Sequence, residues 1–409
     1  MTDPLESIEP GRALLLEVEV ERVELERLEE SGDRVSRSET TTRVARVTTD
    51  DGLGVAVSTE GEDYAELVER ARRTAEAGVG HPVSYPEEVR ARRVRAHDER
   101  ATDVERLREL LETVEAEVPG DVTLSSVAVT GTLRRVRVRV PGQDWVERLE
   151  STVSLTVDVV GEFSGAAWDT TVGPDDLSAE RLAEEAVEMA AEAPEVSPPE
   201  GEVRAAFDPV AVADLLSYTL IPALSGLEVA KGTSAFDRED LGRRVIEGDV
   251  DALNDPVRDG WPGSYGFDDE GVRPERVELV RDGRLRALYT DLYSAEKLGL
   301  DPTGSGLGSR RPEPAPGNVL VQGDAGAEEL LEEADLIVRR VMGAHTASHV
   351  SGRFSVTGLW VEDADGRRVK PCSLRGNVLS DLLAVSRWVR RVGSLGAPYA
   401  LMRCRAGTS

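Results

Sequence analysis

Lysine is almost missing from this 409-residue chain. Lys231, Lys297 and Lys370 are the whole complement, so the positive charge is carried by arginine. Cysteine is as scarce: Cys372 and Cys404 alone exclude a disulfide framework and read as buried free thiols. Aromatic residues make up 4%, which leaves Val, Leu, Ala and Ile to build the cores. Four histidines leave little room for imidazole chemistry. No apolar run approaches the roughly 18 residues of a membrane span, so no membrane association is expected. The first residues, Met1-Thr2-Asp3-Pro4-Leu5-Glu6, are acidic and lack the apolar stretch of a secretory signal, which points to a cytoplasmic protein. Positive charge is outweighed by 78 acidic residues against 49 basic ones, a net charge of −29. Such a surface repels phosphate backbones and argues against a nucleic-acid partner. Acid-rich, lysine-poor surfaces suit a salt-rich cytoplasm, where counter-ions screen the repulsion.

What is present is enough apolar residue (40%) for two domains. Leu14 to Glu21 and Val44 to Ser58 read as strands, the second turning at Asp50-Asp51-Gly52. Asp63 to Ala77 has a helical stripe of Leu67, Val68, Ala71 and Ala75, and Val104 to Val118 is a second amphipathic helix. Val122 to Val129 and Leu133 to Val140 read as a strand pair, followed by a strand over Val153 to Val160. Pro174 to Ser178 starts a helix that runs from Ala179 to Ala193. A strand–helix unit ending at Ala77 therefore recurs, ending at Ala193, which suggests duplication. Ala193 to Gly201, with three prolines and a glycine, is the best boundary. The expected domains are 1–200, an α/β unit, and 201–409, β-rich with a large mostly antiparallel sheet or barrel. The fold class is α+β. In the second half, strands are expected at Arg276–Val280, Leu285–Tyr289, Asn318–Gln322, Leu336–Val341 and Phe354–Val361, and a late helix at Gly376–Val389.

Asp208-Pro209 opens a helix, with Asp as N-cap and Pro at the first helical position. It runs through Ile221, where Pro222 is expected to interrupt it; Gly226 is the stop. Downstream lie Leu224-Ser225-Gly226, Lys231-Gly232-Thr233-Ser234-Ala235-Phe236, Leu241-Gly242, Asn254-Asp255-Pro256, Phe267-Asp268-Asp269-Glu270-Gly271-Val272 and Arg281-Asp282-Gly283-Arg284-Leu285. Then come Tyr293 to Leu300, Thr303-Gly304, Ser351-Gly352-Arg353-Phe354-Ser355 and Arg375-Gly376-Asn377. Across about the last 200 residues this order resembles the TldD/PmbA family, described as modulators of DNA gyrase and as metallopeptidases. The first half matches more loosely, through Asp51 to Val57.

The resemblance implies that TldD-type members carry H-E-x-x-x-H on this helix and a cysteine near the C-terminus as zinc ligands. Two histidines a turn or so apart share the ion and the glutamate acts as general base. Here the three positions hold Ser217, Tyr218 and Pro222, and Gly393 to Tyr399 lacks the cysteine pattern. Cys404 falls later, on a terminal strand. The sequence therefore resembles the PmbA (TldE) branch, which lacks the motif. What this implies is a zinc-less homologue, inactive alone, that binds a peptide or unfolded segment beside a TldD-type subunit holding the zinc, or beside a second copy of itself. This chain would hold no metal and no cofactor. The alternatives are a self-sufficient metallopeptidase with a rebuilt site and a peptide-binding homodimer.

Other constellations carry less. His345 and His349 have helical spacing, but Gly343, Ser348, Ser351 and Gly352 indicate a loop, where the pair would stand roughly 13 Å apart along extended chain. With Thr303, Gly304, Ser351 and Gly352 they are candidates for a peptide groove. Asp268-Asp269-Glu270 reads as a turn whose carboxylates accept backbone N–H groups, ahead of acid–base or alkaline-earth chemistry. Gly304 to Gly308 lacks the Lys-Ser/Thr ending of a phosphate loop.

Overall fold

The structure is a computed structural model that describes residues 3–28 and 32–408; Met1 and Thr2 of the acidic N-terminus lie outside the described residues. It is mixed α+β and forms two compact units. The first comprises residues 1–191, 256–275 and 290–317; the second comprises 192–255, 276–289 and 318–409. The proline-rich segment thus begins the second unit, and two later segments return to the first.

In the first unit, β1 (Ala13–Leu28), β2 (Gly32–Thr48), β3 (Leu53–Ser58), β4 (Thr123–Arg139), β5 (Val146–Val160) and β6 (Ser164–Thr171) form an antiparallel sheet in the order β3-β2-β1-β4-β5-β6. Each outer strand leads to a helix: β3 to α1 (Tyr64–Glu76) and β6 to α3 (Ala179–Ala190). The duplicated strand–helix unit is therefore real, and it is a three-strand meander closed by a helix. Gly54 of β3 and Gly165 of β6, each the second residue of its strand, let these helices approach. A Cβ on Gly54 would lie 1.8 Å from the Ala71 carbonyl oxygen, and one on Gly165 would lie 1.9 Å from that of Ala186.

Residues 122–140 correct the expected strand pair. They form one strand, β4, because Gly131 serves close packing and not a turn: its Cβ would lie 1.7 Å from the Ala101 oxygen. Alternation along β1 divides the core. Leu14, Leu16 and Val18 pack with Val83, Tyr85, Val89 and Phe267. Ala13 and Leu15 pack with Leu67, Val68 and Ala71 of α1. Val23 and Leu25 join Leu107 and Leu111 of α2 (Val104–Glu117) and Leu182 and Ala186 of α3.

The second unit is built on β7 (Gly201–Phe207), β8 (Asp251–Asn254), β9 (Val277–Arg281), β10 (Val319–Gln322), β11 (Leu336–Met342), β12 (Arg353–Asp363), β13 (Cys372–Asn377), β14 (Leu382–Val392) and β15 (Leu395–Thr408). Pairing runs β15–β7–β11–β12–β13 and back to β15, which closes a ring; only the β7–β11 step is parallel. Phe207 and Phe354 meet edge to face inside, with centroids 6.0 Å apart. Closure removes the edges of the ring strands, while β14 and the β10–β8–β9 arm branch from β15 outside it.

The late helix expected at Gly376–Val389 is not there. That stretch supplies the end of β13 and much of β14, which pairs with β15 from Leu382↔Met402 to Val392↔Leu395. Val378, Leu382, Val385 and Val389 recur at a helical spacing; pairing with the long strand β15, through two register shifts, overrides it.

Candidate functional site: a helix without ligands

Asp208 caps α4 (Pro209–Tyr218), its carboxylate accepting from Val210 N at 3.1 Å. Val210, Ala211, Val212, Ala213, Leu215 and Leu216 are all buried. The apolar side faces Val385, Pro398, Ala400 and Met402. What remains toward solvent is a stripe of Asp214, Ser217 and Tyr218.

The helix breaks at Thr219, three residues before the expected Pro222. Thr219 adopts φ −122° and ψ −87°, and its hydroxyl donates to the Leu215 carbonyl at 2.6 Å. That bond takes over from the lost helical geometry. Pro222 sits inside the short α5 (Leu220–Ala223), within a first turn where a missing N–H costs nothing. The chain continues into α6 (Gly226–Lys231), ended by Gly232 at φ 71°.

These positions do not suit zinc. Ser217 Oγ is committed to the Ala213 carbonyl at 2.8 Å. Tyr218 is 45% exposed, and Pro222 has no donor atom. Cys404 is buried on β15 opposite Val203, and burial pushes its thiol up to about 12, far from a thiolate ligand. Among the described residues no group of three or more His, Cys, Asp and Glu is placed to hold a metal ion.

The candidate groove residues divide between the units. Thr303 and Gly304 belong to the first unit and close a loop. Thr290 N donates to Thr303 Oγ1 (2.8 Å), Thr303 N donates to Thr290 Oγ1 (3.1 Å), and Tyr265 Oη donates to the Gly304 carbonyl (3.0 Å). His345, His349, Ser351 and Gly352 belong to the second. His345 is exposed on a 3-10 turn over Ala344–Thr346. His349 Nε2 lies 3.5 Å from Glu228 on α6. Asn377 donates to the Ser351 carbonyl at 2.8 Å, and Gly352 turns at φ 71° against Asn377 and Leu379.

Asp268, Asp269 and Glu270 are buried in the first unit. Asp268 accepts three backbone N–H groups, from Glu270 (3.0 Å), Val272 (2.8 Å) and Gly306 (2.8 Å). Asp269 meets Arg148 at 2.6 Å, Arg134 at 3.0 Å and Gly308 N at 2.8 Å. Glu270 accepts from Leu292 N at 2.8 Å. Burial raises Asp268 to about 7, with the Asp269 charge adding to it, and raises Glu270 well above the usual range, with the Asp268 and Asp291 charges adding. For Asp269 the two guanidiniums outweigh burial and hold the carboxyl far below it. With three N–H donors on Asp268, the retained proton belongs on Glu270. Every carboxylate is thus spent on holding the loop.

The sequence reading missed a charged cluster at the start of α4. Arg339 and Arg340 of β11 approach Asp208 at 3.6 and 4.0 Å, and Trp388 of β14 stacks on Tyr399 with centroids 5.7 Å apart. The signal is two adjacent arginines in an apolar strand and the run Arg387-Trp388-Val389-Arg390-Arg391, which straddles the end of the helix expected over Gly376–Val389.

The chain thus carries a doubled meander-plus-helix unit and, in its second unit, a closed sheet with α4 packed on it. The chain belongs to the PmbA/TldD family: the PmbA/TldA metallopeptidase C-terminal domain matches residues 200–405. A metalloprotease of Methanothermobacter thermautotrophicus is 28% identical over 277 residues, 63% of this chain and 58% of its own length. Metalloprotease PmbA of Escherichia coli O157:H7 is 31% identical over 151 residues, 36% of this chain and 32% of its own. The chain thus spans less than two thirds of these curated relatives. In fold it is similar to TldE from Thermococcus kodakarensis (TM-score 0.83, 22% identity, 97% of each chain). It is also similar to a Thermotoga maritima protein named as a candidate modulator of a DNA gyrase (TM-score 0.85, 21% identity, 97% of this chain and 96% of that one).

Proposed function

We propose that this chain is a zinc-less member of its family, acting in proteolysis as a non-catalytic subunit that binds extended peptide beside a TldD-type subunit holding the metal. One observation carries the reading: the helix that should present His, Glu and His presents Ser217, Tyr218 and Pro222. Of these, Ser217 is tied to its own backbone and Pro222 lies beyond a break at Thr219. A zinc peptidase needs nitrogen or sulfur ligands and a base beside the bound water, and neither is found there. His345 and His349 support a rebuilt site poorly, since His349 faces Glu228 and His345 faces solvent.

The test is metal content and peptidase activity of the purified chain, alone and mixed with a TldD-type partner. The expected result is substoichiometric zinc, no chelator-sensitive cleavage alone, and a stable complex on mixing. One equivalent of tightly bound zinc, or cleavage abolished by chelator in the isolated chain, overturns the reading.

A further inference from the structure

The six-stranded sheet of the first unit ends in β3 on one side and in β6 on the other. The β3 side is guarded. Leu53 N donates to the Val79 carbonyl at 3.0 Å, and where β3 stops, β2 continues alone past Arg43 with Arg34, Arg37 and Glu39 exposed along it. Charges of this kind keep other chains from adding to a sheet. β6 pairs only with β5 among the described residues, and no register shift interrupts that ladder. It has no proline and no basic residue. Its one acid, Asp169, is buried against Arg181 of α3 at 2.9 Å. An open edge without guarding devices is a template for one more strand.

Thr170 N donates to the Asp169 carboxylate at 2.8 Å, so its N–H points away from β5. Backbone groups alternate along an antiparallel pair, so those of Ser164, Ala166 and Trp168 point outward as well. The side chains at these even positions share the face that α3 leaves open. Trp168 is 45% exposed there, and Val160, opposite Ser164 on β5, is 47% exposed. The odd positions lie under α3, where Gly165 meets the Ala186 carbonyl and Ala167 joins the core.

We propose that β6 pairs antiparallel with β6 of a second copy of this chain, across a two-fold axis at Ala167, joining two six-stranded sheets into one. A two-fold contact must be self-complementary. This register uses every outward residue: Ser164 lies opposite Thr170, and Ala166 opposite Trp168. It sets a large ring over a methyl and two hydroxyls side by side, pairings that stabilise antiparallel strands. Charge fits the same register. Asp169, held by Arg181, comes opposite Gly165 of the second copy, which lies beneath the α3 turn of Ala186 with Glu185 and Glu188 beside it. Arg181 of each copy therefore faces acids of the other, and such complementarity fixes register. The strand itself adds no exposed charge to a chain with 29 negative charges in excess, so a like-charged copy meets least repulsion there. A strand of this length spans roughly 27 Å, and with its helix layer the contact buries on the order of 1,000 Å² in total, the lower end for a specific interface. The dimer is thus concentration-dependent. It does not depend on the metal content of α4, and its failure leaves the reading above in place.

The experiment is sedimentation velocity of the full chain from about 1 to about 100 µM in 1 M KCl, where repulsion between copies is screened. The expected result is a shift from one to two copies per particle over that range. Ala166→Pro deletes an outward N–H, a change an edge strand tolerates. Trp168→Lys puts a charge where the indole should meet Ala166. Each should weaken the dimer about tenfold or more, with a melting temperature close to that of the parent. Val35→Lys, exposed on the guarded side, should leave the dimer unchanged. A parent chain that stays single at the highest concentration overturns the proposal. So does a dimer that survives either folded edge variant, since its contact would lie on another face.

Discussion

At the scale of single residues, the Phe267–Val272 loop sets opposite electrostatic demands side by side. Asp269 is fully buried against Arg148 and Arg134, so Asp269→Asn leaves two guanidiniums short of their counter-charge. Breaking a buried pair from one side costs about 3–5 kcal/mol, which denaturant titration of the variant at neutral pH should show. The pH dependences run in opposite directions. Asp269 has a depressed pKa, so its contribution is present above the ordinary carboxylate pKa and is lost as pH falls toward the folded value. Glu270 has a raised pKa: folded chain holds a proton that unfolded chain releases, so stability declines as pH climbs from the ordinary glutamate value toward the folded one. Glu270→Gln keeps an acceptor for Leu292 N and removes that titration. Its unfolding free energy, followed from pH 5 to 8, should be flatter than that of the parent. An unchanged slope would place the proton elsewhere.

At the scale of elements, most strands and the three long helices of the first unit could be read from period and caps. Asp63 accepts from Ala65 N and Asp103 from Glu105 N, as their positions before apolar stripes require. Glycine was read less well, because a strand glycine that admits a helix looks in sequence like a turn; Gly131 is the case in point. The arginine cluster was legible only in part: the adjacent arginines can be seen, but the register slip of β11 against β12 around Arg340 has no residue signature, and without it Arg339 and Arg340 belong to opposite faces. That α4 carries no His, Glu or Cys, by contrast, is a matter of residue type and is read directly from the sequence. The position of the break was not: it falls at Thr219, whose hydroxyl bonds the Leu215 carbonyl, three residues ahead of the proline that marks it in the sequence. The duplicated unit makes a paired prediction. Gly54→Ala and Gly165→Ala each drive a methyl into the carbonyl of the facing helix, and backbone on both sides leaves no flexible atom to yield. Each should cost about 1–3 kcal/mol or more. Gly61→Ala, with open space around it and only its φ of 82° to oppose a side chain, should cost about 1 kcal/mol. Thermal unfolding of the three variants would rank them, and a milder effect at Gly54 or Gly165 than at Gly61 would contradict the close approach.

At the scale of the whole molecule, charge dominates. Many arginines already have carboxylate partners, as in the cross-strand series of Glu17 with Arg43, Glu19 with Arg137 and Glu21 with Arg37, and 29 negative charges remain in excess. Salt acts on both populations. It weakens exposed pairs such as Arg12 with Asp50, which are worth about 0–1 kcal/mol each, and it scarcely reaches the buried Arg148–Asp269 pair. It also screens the self-repulsion of the excess charge, which opposes the compact state. The screening length falls from about 10 Å at 0.1 M to about 3 Å at 1 M, so repulsion between carboxylates on different elements fades while contact pairs lose less. Repulsion should win, and the melting temperature should rise by several degrees between 0.1 and 1 M KCl. Chloride is the right anion for this test, because sulfate strengthens apolar burial as well. A melting temperature that falls over that range would mean that the ion-pair network, and not the excess charge, governs the stability of this chain.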